Sequence, residues 1–134
     1  NLGKTYVFND KAYETVNKLG DRYKQYAATN GSAIAQEGKL KGAGLDTIFE
    51  DVFISEKIGF EKPSKEFFDY IFDTIGSREK SQYVIIGDSL TSDIRGGNNA
   101  GIKTIWFNPD RLEKDKDIDF DYEVINLEEV LDIL

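Results

Sequence analysis

The sequence predicts an α/β fold built on a parallel sheet with helices on both faces, and three observations predict it. Short, continuous apolar runs occur at Val52-Phe53-Ile54, Tyr83-Val84-Ile85-Ile86 and Lys103–Phe107; runs of this kind mark strands buried on both faces. Helical patterns separate them, so the chain alternates strand and helix and builds parallel βα units. Asp88 follows the run Val84–Gly87 directly, and a carboxylate just past the C-terminal end of a buried parallel strand lies where open α/β sheets bind ligands.

Taken in order, Asn1 to Phe8 contains only Tyr6-Val7-Phe8 as an extended lead-in. Asn9 or Asp10 caps a helix to about Leu19, with Ala12, Val16 and Leu19 on one face and Gly20 ending it. Tyr23 to Thr29 reads as a strand and Thr29-Asn30-Gly31-Ser32 as the turn at its C-terminal end. A helix from about Ser32 to Ala43 and a helical turn at Leu45 to Glu50 come next. Val52–Ile54 is a strand, and Glu56 to Lys62 is a loop. Pro63 suits the first turn of a helix reaching Ile75, where Phe68, Ile71, Phe72 and Ile75 fall at i, i+3, i+4 and i+7. After the strand Tyr83–Ile86 comes a helix over about Ser92 to Asn99. Its Gly96-Gly97 pair costs helix propensity but allows close approach to the sheet. Lys103–Phe107 is a strand, Arg111 to Phe120 a solvated loop, Tyr122 to Ile125 an edge strand and Leu127 to Leu134 a final helix.

Composition excludes several chemistries. With 134 residues, 40% hydrophobic and 31% charged, the chain has the makings of one globular domain. It has no cysteine and no histidine. Disulfides, thiol nucleophiles, a Ser-His-Asp triad and imidazole-bound zinc are therefore ruled out within it. Gly87-Asp88-Ser89-Leu90 spells the signature of GDSL esterases, but those enzymes need a histidine base, so the match is coincidental. A net charge of −8 argues against nucleic-acid backbone binding. No apolar run approaches a membrane span, and a cytoplasmic location is expected. The chain has no methionine and begins at Asn1, which reads as a fragment or a processed product.

Three loops at strand C-terminal ends carry chemistry. The first offers the Thr29 hydroxyl and backbone amides around Asn30, which can hold phosphate oxygens. The second offers Lys62, next to Pro63, as a point cation. The third offers Asp88 and Asp93, two carboxylates suited to a hard cation such as Mg²⁺; the same residues would also serve simply to end a strand and to favour a helix's first turn. A hydroxyl, a lysine and a Mg²⁺ site converging at one sheet edge make a phosphoryl-transfer site.

The chain resembles the haloacid dehalogenase (HAD) superfamily. The residues that carry the resemblance are Ala27-Ala28-Thr29-Asn30-Gly31 as motif II, Lys62-Pro63 as motif III, and Gly87-Asp88-Ser89-Leu90-Thr91-Ser92-Asp93 as motif IV. Val52–Glu56 through Gly59, Phe67-Phe68, Trp106-Phe107-Asn108 and Tyr122–Ile125 are similar to the pyrimidine 5′-nucleotidase-like branch. The resemblance implies a Rossmann-like three-layer α/β/α fold and a phosphomonoester hydrolase acting through an aspartyl-phosphate. It implies Asp88 as direct Mg²⁺ ligand, Asp93 as a ligand through water or as an orienting group, and Thr29 and the Asn30 amide as phosphate-binding groups. Lys62 would neutralise charge on nucleophile and phosphate.

One motif does not match. The family's D-x-D-x-T precedes motif II, and the only acidic residues before Thr29 are Asp10, Glu14 and Asp21, none in that pattern. The nucleophile, the acid/base, the central first strand and most of the substrate-selecting cap are therefore expected to be absent from a single core-domain fragment spanning 1–134. Residues 1–8 would be a remnant of the cap-to-core connection. A gap with unpaired strand edges is expected at the sheet centre, to be filled by a separate N-terminal segment or by self-association, and the fragment alone is expected to be inactive. A sugar-phosphate or phosphoglycolate phosphatase and a non-catalytic α/β binding module are the alternative readings. A response-regulator-like receiver would need an acidic pair after its first strand, for which Asn9-Asp10 is a poor match.

Overall fold

The computed structural model describes residues 5–8, 24–30, 34, 51–114, 117–126 and 129–133. Its frame is a six-stranded sheet: β1 (Thr5–Phe8), β2 (Lys24–Thr29), β3 (Asp51–Ile54), β4 (Tyr83–Gly87), β5 (Lys103–Phe107) and β6 (Tyr122–Val124). The spatial order is β3-β2-β1-β4-β5-β6, and every neighbouring pair is parallel. The apolar runs at Val52–Ile54, Tyr83–Ile86 and Lys103–Phe107 are strands as their patterning predicts, and all five residues of β4 are buried.

The centre of the sheet departs from expectation. Tyr6-Val7-Phe8 is no lead-in but part of β1, which lies between β2 and β4 and pairs with both. Phe8 stands opposite Ala27 on one side and Ile86 on the other. The expected gap is thus closed by the chain itself. The reason is that β2 and β4 would otherwise each carry a row of unsatisfied backbone groups into the interior, and a four-residue extended segment satisfies both rows at once.

Between the strands lie α1 (Ser55–Ile58), α2 (Lys65–Ile75) and α3 (Arg95–Ala100), and α4 (Val130–Ile133) follows β6. The segment Glu56–Lys62, expected as a loop, begins inside the single turn α1. Helix α2 starts two residues after Pro63, not at it. The Ser64 hydroxyl accepts from the Phe67 N–H, and Gly76, at φ 86°, closes the last turn by donating to the Phe72 carbonyl. The Lys62-Pro63 bond is cis. The helix expected over Ser92–Asn99 opens instead with a π-type turn, Leu90–Ile94, before α3. Ser89 causes this: its carbonyl accepts from both Asp93 and Ile94, and its hydroxyl from Ser92. The loop Arg111–Phe120 is not wholly solvated, for Ile118 is buried and Phe120 packs on Trp106. Strand β6 is an edge strand, as expected. The helices expected over Asp10–Leu19 and Ser32–Ala43 and the turn at Leu45–Glu50 lie outside the described residues, apart from the helical Ile34.

The main core joins Tyr26, Ala28, Phe53 and Ile85 of the sheet to Phe67, Phe68, Ile71 and Phe72 of α2. Two glycines let α3 into this core. A Cβ at Gly97 would stand 2.6 Å from Ile85 Cγ2 and 2.7 Å from Thr104 Cγ2, and one at Gly96 would stand 2.5 Å from the Phe68 ring. The pair therefore has the packing role its sequence predicts: α3 lies directly on β4 and β5, and α2 lies directly on α3. Gly97→Ala is expected to lower unfolding stability by about 1–3 kcal/mol, because the added methyl must push two branched side chains off the sheet; urea denaturation measures it.

Candidate active site

The sequence candidates Thr29, Asn30, Lys62, Asp88 and Asp93 all come from segments at or just beyond the C-terminal ends of β2, β3 and β4. Lys62 is the one that reaches furthest. It is 5% exposed, and its ammonium donates to the Ala28 carbonyl at 3.0 Å and to Asp93 Oδ1 at 2.5 Å. A cation leaving the β3 side of the sheet thereby spans the end of β2 and meets a carboxylate that follows β4.

Asp93 is 1% exposed. Its Oδ1 faces Lys62 and its Oδ2 accepts from the Ser89 backbone N–H at 3.2 Å. Room for it comes from Gly87, where a Cβ would lie 2.3 Å from Asp93 Oδ2. The glycine that ends β4 is thus a requirement for bringing the carboxylate against the sheet end. Two charges taken out of water need each other and additional hydrogen bonds; Ala28 and Ser89 supply these.

Asn30 holds the lysine by its backbone. Its side-chain oxygen accepts from the Lys62 N–H at 2.9 Å, and its side-chain amide donates to the Lys62 carbonyl at 3.2 Å. Sequence reading assigned Asn30 a backbone amide for phosphate and missed this clamp. Thr29 is buried, and its hydroxyl donates to the Asn30 carbonyl at 3.3 Å.

Asp88 is half-buried. The ladder places it relative to Thr29: Phe8 of β1 stands opposite Ala27 and Ile86, so Thr29 and Asp88 each lie two residues further on, on the strands flanking β1. Two strand spacings separate those strands, about 10 Å. The indole N–H of Trp106, on β5, donates to the Asp88 carbonyl at 3.1 Å, a second contact that sequence reading missed. Among the described residues no group of three or more acidic side chains gathers as a cage. One or two carboxylates completed by water and substrate oxygens are what Mg²⁺ uses, and Asp88 at the strand end fits that habit. Ser55, Phe60, Glu61 and Ser64 line an open depression of about 680 Å³.

Asp93→Asn is expected to destabilise the fold by about 3–5 kcal/mol, since it leaves the Lys62 ammonium buried beside a neutral amide. Thermal and urea unfolding of the variant measure this. A loss under 1 kcal/mol would mean that the pair is not desolvated in solution.

Comparison with known proteins identifies the family. The family model described as haloacid dehalogenase-like hydrolase matches residues 2–101. The pyrimidine 5′-nucleotidase PynA of Streptococcus pneumoniae is 44% identical over 124 residues, 92% of this chain and 52% of that protein. The pyrimidine 5′-nucleotidase YjjG of Escherichia coli is 34% identical over 92% of this chain and 55% of that protein. Among solved structures, the magnesium-bound YfnB of Bacillus subtilis, named as a HAD-hydrolase, superposes with a TM-score of 0.87 at 41% identity. That match covers 92% of this chain and 54% of the other. The chain spans about half the length of these relatives. With three motifs at the C-terminal end of a parallel sheet and a family match over most of its length, the chain belongs to the haloacid dehalogenase-like hydrolases.

Proposed function

We propose that this chain supplies the core of a Mg²⁺-dependent phosphomonoesterase of the nucleoside 5′-monophosphate phosphatase type, working in the cytoplasm on a small-molecule substrate. The observation that carries the reading is the Lys62 ammonium, buried at the sheet's C-terminal end between the Ala28 carbonyl and Asp93. A lysine held there, besides pairing with Asp93, can offset negative charge arriving at the same edge.

The residues divide the work as follows. Asp88 would hold Mg²⁺, which when bound would supply positive charge against a phosphoryl group. Asp93 orients Lys62 and would help to hold the metal from behind Asp88. The Thr29 hydroxyl exchanges its long bond to Asn30 for a phosphoryl oxygen, with the Asn30 amide beside it. Asn30 also keeps Lys62 in register through both backbone groups. An attacking carboxylate outside this chain's matched motifs forms the bond to phosphorus while the ester P–O bond breaks, and the leaving oxygen takes a proton from a second carboxylic acid that also lies outside those motifs. Water then hydrolyses the aspartyl-phosphate.

Two measurements test this. In a protein carrying this chain together with the attacking carboxylate, Lys62→Ala should lower turnover about 10²-fold, and Asp88→Asn should lower both turnover and Mg²⁺ affinity with the fold retained. Unchanged kinetics in both variants would overturn the site. The 134-residue chain alone should not hydrolyse p-nitrophenyl phosphate with Mg²⁺, because nothing in its matched motifs replaces the nucleophile. Robust turnover abolished by Asp88→Ala would refute that.

A further inference from the structure

We propose that Trp106 is a positioning residue for the metal end of the site, holding Asp88 by its backbone and the Asp93 turn by packing, and that its indole reports optically on what Asp88 binds. The inference rests on the reading of Asp88 as the Mg²⁺ ligand. Strand β4 ends at Gly87, whose partner across the ladder is Trp106. Asp88 is therefore the first residue past the end of β4. The Trp106 indole donates to the Asp88 carbonyl at 3.1 Å, and its ring is 2% exposed.

The rest of the ring faces a separate apolar cluster. Trp106 packs with Ile94 and Ile118, and Leu90 and Phe120 close around them, the Phe120 ring centroid lying 5.4 Å away. Leu90 and Ile94 are the two ends of the turn that carries Asp93. One side chain thus ties down both carboxylates of motif IV, one through a hydrogen bond and the other through its turn. Groups that orient a metal ligand without touching the metal commonly change metal affinity by 10–100-fold when removed. Trp106 is also the only tryptophan in the chain, so its emission reports this one place.

The test is Mg²⁺ binding to the full chain by calorimetry, with tryptophan emission and thermal unfolding followed in parallel. Trp106→Phe keeps most of the apolar body and removes the N–H; it should weaken Mg²⁺ binding at least 10-fold. Phe120→Leu removes the ring against Trp106 and leaves the N–H in place; it should lower the unfolding temperature but keep wild-type Mg²⁺ affinity. In the unsubstituted chain Mg²⁺ should shift Trp106 emission, and in Asp88→Asn it should not. Wild-type affinity in a folded Trp106→Phe, or equal weakening by Phe120→Leu, would overturn the positioning role while leaving Asp88 as ligand. If Trp106→Phe does not fold, the emission comparison decides, and no Mg²⁺-dependent shift in a chain that binds Mg²⁺ through Asp88 overturns the proposal. Equal Mg²⁺ binding by wild type and Asp88→Asn would instead remove the metal reading on which it rests.

Discussion

The buried pair between Lys62 and Asp93 is the constraint around which the rest of this molecule is arranged. It joins a segment that follows β3 to one that follows β4, across the end of β2, with both side chains nearly excluded from solvent. Neither charge is tolerable there alone. Each is therefore supplied with a further partner: the Ala28 carbonyl for the ammonium and the Ser89 N–H for the carboxylate. The Asn30 clamp on Lys62 completes the set by fixing the backbone from which the lysine reaches. A network satisfied to this degree is rigid, and rigidity at a strand end is what a site for a multiply charged substrate needs.

Missing side chains matter as much as present ones. Gly87 leaves the space that Asp93 fills, Gly97 lets α3 rest on Ile85 and Thr104, and Gly96 admits the Phe68 ring. The main core then forms between the sheet and α2 with α3 wedged beside it. Packing and site are consequently one construction: the helix that follows Asp93 is seated by glycines, and α2, which follows Lys62-Pro63, packs against it. Disturbing either helix would move one member of the buried Lys62–Asp93 pair away from the other.

The sheet's order explains how groups so far apart in the chain meet. Parallel strands end at one edge, so the turn after β2, the segment before α2 and the turn after β4 open on the same side. Strand β1 stands between β2 and β4 and sets the spacing between Thr29 and Asp88. Its presence removes the unpaired edges that a missing central strand would expose, and with them the physical ground for association through the middle of the sheet.

Much of this was legible in the amino-acid sequence, because it depends on local pattern. Continuous apolar runs marked β3, β4 and β5; the spacing of Phe68, Ile71 and Phe72 marked α2; and the order Thr29, Lys62, Asp88, Asp93 at strand ends marked a candidate site. The absence of histidine and cysteine confined the chemistry further. Only the tertiary structure decided the rest. That Thr5–Phe8 is a central strand depends on hydrogen bonds offered by two neighbours distant in sequence, which a four-residue segment cannot announce. That Asp93 faces Lys62, that Asn30 grips a lysine backbone thirty-two residues away, and that Trp106 caps the Asp88 carbonyl are all non-local contacts. Residue types state which groups can charge, donate or accept, and the path of the chain through space decides which of them meet.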